Sequence, residues 1–123
     1  MLMSARNGNV LTRFPQVSGL DEDWYDPGTN AFYLGANHMT SDGNTDGLPT
    51  PVIGVISAGG GRSGRGWFDA RDSAAKWVEN FPTGATTNNT HSVAADPSNG
   101  QVFVPVAGYG IMILANTSSA TGL

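Results

Sequence analysis

The sequence predicts an all-β fold of short antiparallel strands, and three observations carry that prediction. Gly 17 and Pro 7 fill about a fifth of the 123 residues, a density of turn formers that interrupts long helices and suits short strands joined by tight turns. The apolar runs have strand length and are bounded by Asp, Asn, Gly and Pro. The same order of runs and turns also occurs twice along the chain. The length fits one domain, residues 1–123, with room for one core.

The elements follow in order. Gly8-Asn9 opens a strand over Val10 to Phe14, which Pro15 ends. An inner run, Asp23 to Tyr25, leads into Asp26-Pro27-Gly28-Thr29-Asn30, a turn in which Pro fixes φ and Asp bonds its own backbone. A β-branched and aromatic run, Ala31 to Gly35, comes next, and then the apolar strand Pro51 to Ala58. Gly59-Gly60-Gly61-Arg62-Ser63-Gly64-Arg65-Gly66 reads as a flexible hairpin tip with a short helical turn at Asp72 to Trp77. It lacks the Gly-Lys-Ser/Thr of a phosphate loop. The second round runs Lys76 to Pro82, Ser92 to Ala95, the turn Asp96-Pro97-Ser98-Asn99-Gly100, Gln101 to Val106, and Gly110 to Ala115. Pro105 has no N–H for a ladder, so it marks a bulge or a strand end.

Composition narrows the function classes. Ten acidic against six basic residues give a formal charge of −4, and Arg62 and Arg65 stand singly among glycines, which argues against backbone-driven nucleic-acid binding. No apolar run reaches the roughly 18 residues needed to cross a bilayer, and Met1 to Arg6 does not read as a signal peptide. The expectation is a soluble chain with neither nucleic-acid nor membrane partner and no indicated compartment. The absence of cysteine excludes disulfides, thiolate metal sites and a cysteine nucleophile. Ser92 lacks a Gly-x-Ser-x-Gly elbow, so a serine hydrolase triad has no support.

Phe14-Pro15 recurs as Phe81-Pro82 at an offset of 67 residues, and Asp26-Pro27 as Asp96-Pro97 at an offset of 70. The repeats span approximately residues 8–60 and 75–123, each a four-run meander. The phrase of apolar strand, Asp-Pro-x-x-Asn/Gly, then Phe-Tyr-Leu or Val-Phe-Val, as in Trp24 to Leu34 and Val93 to Val104, resembles the YVTN and SMP-30/gluconolactonase-like β-propellers. The resemblance covers nearly the whole chain and implies four-stranded blades, about two blades' worth. In that frame Val10 to Phe14 is an outer strand, followed by a complete blade and then three strands of another. Such a piece exposes an apolar flank on each side. Completion by self-association, as a homotrimer or homotetramer, is one expectation. A fragment of a longer propeller is the other, since Leu2-Met3-Ser4-Ala5 resembles Val55-Ile56-Ser57-Ala58.

The resemblance also nominates a site, because in propellers the starts of the inner strands and the loops after the second strand line the channel mouth. Five residues before the Asp-Pro aspartate lie Asp21 and His91; Glu22, Asp23 and Ser92 follow them, and Asn37 and His38 lie at the second strand's exit. By likeness to lactonase-like propellers, Asp21, Glu22 and Asn37 are the expected ligands of a divalent metal, most simply calcium. Glu22 or His91 is then the catalytic base, and Asn37, His38 and Ser92 the substrate contacts. The alternative is a solvated acidic turn and ordinary loop histidines. Asp42-Gly43-Asn44-Thr45-Asp46-Gly47 matches the first half of a calcium loop, with Asp42, Asn44 and Asp46 as candidate ligands, but Ile53 at the twelfth position excludes an EF-hand. Trp24, Trp67, Trp77, Tyr25, Phe32, Tyr33 and Phe103 read as packing between blades. The expected activity is a metal-dependent hydrolase of small cyclic esters; the alternative is a non-catalytic ligand-binding or structural propeller module.

Overall fold

The structure, a computed structural model, describes residues 1–39, 50–59, 75–84, 90 and 92–115, with backbone alone at 37–39 and 50. Among the described residues the regular structure is entirely β. The strands are β1 (Leu2–Met3), β2 (Val10–Thr12), β3 (Leu20–Asp26), β4 (Ala31–Met39), β5 (Thr50–Ser57), β6 (Lys76–Pro82), β7 (Ala94–Asp96), β8 (Gln101–Val106) and β9 (Gly110–Ala115). They form a β1-β2 hairpin, a four-stranded sheet β3-β4-β5-β6 and a three-stranded sheet β7-β8-β9, each pairing antiparallel between neighbours in sequence. Among the described residues no helix is long and apolar enough to cross a membrane.

The inner strands of the central sheet, β4 and β5, are apolar on both faces because that sheet is the middle of three layers. Leu34, Ala36, Val52 and Ile56 project to one side and, with Leu20 of the same sheet and Ala75, pack against Leu2, Phe14 and Val17 of the N-terminal layer. Ala31, Tyr33, Ile53 and Val55 project to the other and are buried against Val93, Ala95, Val102, Val104 and Val106, with Met112 and Leu114 alongside. Alternate residues of a strand face opposite ways, so covering both faces converts an alternating pattern into the continuous run Val52-Ile53-Gly54-Val55-Ile56. Full burial of each such aliphatic side chain contributes about 1.5–3 kcal/mol. Gly54 sits where the N-terminal layer comes closest, since a Cβ there would lie 2.5 Å from Val17 Cγ2. Beside it, buried Asn80 donates from Nδ2 to the Gln16 carbonyl at 2.7 Å and accepts at Oδ1 from Trp77 Nε1 at 3.0 Å.

The two Asp-Pro turns are built alike and touch. Buried Asp26 accepts from the Gly28 N–H and from Thr29 Oγ1, both at 2.8 Å. Asp96 accepts from the N–H and Oγ of Ser98 at 2.9 and 2.7 Å and from Asn99 Nδ2 at 3.0 Å. The Ser98 side-chain and backbone bonds, with that from Asn99, hold the Asp96 carboxyl below the usual carboxylate value against a smaller opposing effect of burial. Each turn ends on a left-handed residue, Asn30 at φ 53° and Gly100 at φ 70°, the two residue types best suited to that conformation. Gly28 lies so near the second turn that a Cβ would meet the Pro97 carbonyl oxygen at 2.4 Å.

Three expectations are corrected at the level of elements. Lys76 and Trp77 are strand residues of β6, paired with Ser57 and Ile56, so the helical turn reaching Trp77 is absent at that end; residues 72–74 lie outside the described residues. Of the two expectations for Pro105 the bulge is absent and the strand end stands close by: it pairs in register with Ile111, one residue before β8 ends, beyond Phe103 where β7 stops pairing. β7 begins at Ala94, leaving Ser92 and Val93 as the segment that leads into it.

Candidate functional site

The sheet ends opposite the Asp-Pro turns hold the start of β3, the exit of β4, the start of β5 and the approach to β7. Two irregularities fall there side by side. From Leu20 to Asp23 the inner strand advances three residues while β4 recedes two, from Ala36 to Leu34, so one extra residue is absorbed at Asp21-Glu22. From Ala36 to Met39, β4 advances three residues while β5 recedes two, from Val52 to Thr50, so another is absorbed at Asn37-His38. A β-bulge sets two residues against one on the partner strand and re-aims the local side chains, which regular alternation would send to opposite faces. Asp21 and Glu22 are the two residues of that bulge.

Across the seam between the sheets, Ser92 Oγ donates to Glu22 Oε2 at 2.5 Å. These residues are 70 positions apart, the offset of the Asp-Pro repeat, so corresponding positions of the two repeats meet. The bond fixes the Glu22 carboxylate as an oriented acceptor in an otherwise exposed stretch, since Asp21, Glu22 and Asp23 are all exposed. Behind the site, buried Thr83 bonds the Pro51 carbonyl through both its N–H, at 3.1 Å, and its Oγ1, at 2.9 Å, which ties the end of β6 to the start of β5.

The structure therefore joins Glu22 to Ser92, keeps Asp21 adjacent to Glu22, and places the backbone of Asn37 and His38 at a bulge at the same sheet end. His91, Asp42, Asn44 and Asp46 lie outside the described residues. Among the described residues no group of three or more His, Asp or Glu side chains is gathered closely enough to hold a metal ion. Asp21 and Glu22 carry hard carboxylate oxygens, the donor type that divalent cations such as calcium take.

One residue of the site was read otherwise from the sequence. Trp24 is not covered by packing but 45% exposed. It pairs with Tyr33, so its indole shares the face of the central sheet that looks toward β7, the face from which Glu22 reaches Ser92. Its counterpart at the repeat offset, Ala94, pairs with Phe103 and so faces away from the central sheet, and no signal in the sequence marks the exposure of Trp24. Tyr25 and Phe32 do pack on the opposite face, with ring centroids 5.0 Å apart.

Comparison of the chain with protein-family models, with curated proteins and with solved structures gives no match.

Proposed function

We propose that the stacked sheets are blades of a β-propeller and that the inner-strand starts form a mouth at which small cyclic esters are hydrolysed with the help of a divalent cation. The observation that carries this reading is the Glu22–Ser92 bond, which joins corresponding positions of two repeats, one in the bulge of β3 and the other just before β7. When bound, a cation such as calcium, held by Asp21, Glu22 and Asn37, supplies polarisation of the ester carbonyl. Glu22 takes the proton from the attacking water, and the Ser92 hydroxyl keeps the accepting carboxylate in a fixed orientation. His91, next to Ser92 in sequence, is the second candidate base.

The test is turnover of a panel of γ- and δ-lactones with and without a chelator, in the wild-type chain and in Glu22→Gln. The reading predicts chelator-sensitive hydrolysis that falls about 100-fold or more in kcat for Glu22→Gln. An intact fold with no hydrolysis of any lactone overturns it. A non-catalytic binding module is the second reading, and one observation favours it: Glu22 already engages Ser92, an arrangement that suits a fixed ligand acceptor as well as a base. Ligand binding that survives both Asp21→Ala and Glu22→Ala would move the function away from this mouth altogether.

A further inference from the structure

We infer that the outer face of the β7-β8-β9 sheet is a docking surface for the N-terminal layer of a second copy of this chain, joined head to tail. The inference rests on the stacked-blade part of the reading above and is independent of the cyclic-ester part.

The two sheets are equivalent position by position. At the repeat offset of 70, β8 residues Val102, Val104 and Val106 correspond to Phe32, Leu34 and Ala36 of β4. Both sets face the preceding layer: the first is buried against the central sheet, the second packs against the N-terminal layer. The opposite face of the central sheet is formed by Tyr33, Ile53 and Val55, with Ile53 0% and Val55 8% exposed because the β7-β8-β9 sheet covers them. Strand pairing identifies their counterparts. Phe103 corresponds to Tyr33, Ile113 opposite Phe103 corresponds to Val55 opposite Tyr33, and Ile111 corresponds to Ile53. Yet Ile111 is 70% and Ile113 55% exposed. The same surface is thus covered once within the chain and left open once.

The remainder of this outer face is Ala94, Gln101, Pro105 and Ala115 with one charged residue, Asp96, whose carboxylate is already bonded to Ser98 and Asn99, as that of its buried counterpart Asp26 is to Gly28 and Thr29. At the other end of the stack the N-terminal layer turns Leu2 inward and leaves Met3 49% and Val10 44% exposed. Among the described residues, one face of the β7-β8-β9 sheet and one face of the N-terminal layer are therefore uncovered. Seating the second on the first continues the sheet-on-sheet interface already present within the chain. The two surfaces differ, so the contact is heterologous and propagates until a ring closes or the copies run on.

The test is sedimentation velocity of the purified chain over a hundredfold concentration range, followed by complementation. The wild-type chain is expected to assemble beyond a monomer. Ile111→Glu/Ile113→Glu alone and Met3→Glu/Val10→Glu alone are both expected to be monomeric. An equimolar mixture of the two is expected to form a one-to-one dimer, since each retains the surface that the other has lost. If a glutamate variant does not give the wild-type circular dichroism spectrum, Ile113→Ser and Val10→Ser replace it, with at least a tenfold weakening of assembly expected. A monomeric wild-type chain overturns the proposal. So does a Met3→Glu/Val10→Glu variant that still dimerises, because that would make the contact a symmetric one between two β7-β8-β9 sheets. Lactone turnover by the same variants tests the other proposal separately.

Discussion

Ile53→Ala is expected to destabilise the chain by about 2–5 kcal/mol, lowering the melting temperature on the order of 10 °C. Ile53 is fully buried on the central strand β5, between Gly35 of β4 and Phe81 of β6, and its side chain projects into the cluster shared with Val93, Val102 and Val104. The substitution removes the transfer free energy of the lost carbons and leaves a cavity at the contact between two sheets, where neither can collapse inward without disturbing its ladder. Ile53→Val should cost only about 0.5–1.5 kcal/mol. Denaturant unfolding of the three proteins measures the series. A loss below 1 kcal/mol for Ile53→Ala would mean that the sheets do not share this core.

Gly28→Ala is expected to cost about 1–3 kcal/mol although it adds a single methyl group to an exposed turn. The new carbon would lie 2.4 Å from the Pro97 carbonyl oxygen and 3.0 Å from its Cα. Both are backbone atoms of the second Asp-Pro turn, which the Asp96, Ser98 and Asn99 bonds hold in place, so no side-chain rotation relieves the contact. The turns must separate, and the seam between the sheets opens from that end. Proteolytic susceptibility of the chain should rise together with the loss in the melting temperature. An unchanged melting temperature would show that the two turns are not in contact.

Much of the framework was legible because its signals are local. Lys76–Pro82, Gln101–Val106 and Gly110–Ala115 are strands with the bounds that their apolar runs and flanking turn residues indicate. The Asp-Pro turns follow from residues that bond their own backbone. The site was less legible, for physical reasons. Asp21, Glu22 and Asp23 are all polar, so an extra residue among them interrupts no hydrophobic period, and the bulge at the first two leaves no mark in the pattern. The burial of Asn80 has no local signal either, since it depends on the carbonyl of Gln16, 64 residues away, which accepts from its Nδ2. The exposure of Trp24 depends on how little β7 covers, which a single repeat cannot reveal.

The central claim is that the inner-strand starts of the two repeats meet within one chain, at Glu22 and Ser92. The chain contains no cysteine, so Glu22→Cys/Ser92→Cys introduces the only two thiols and needs no background correction. Treating that variant with a short bis-maleimide at low protein concentration, and locating the product by peptide mass spectrometry, tests the claim most directly. The account predicts a link between positions 22 and 92 within one chain, formed in the folded protein and lost in denaturant. Linkage only between chains, or none in the folded state, would contradict it.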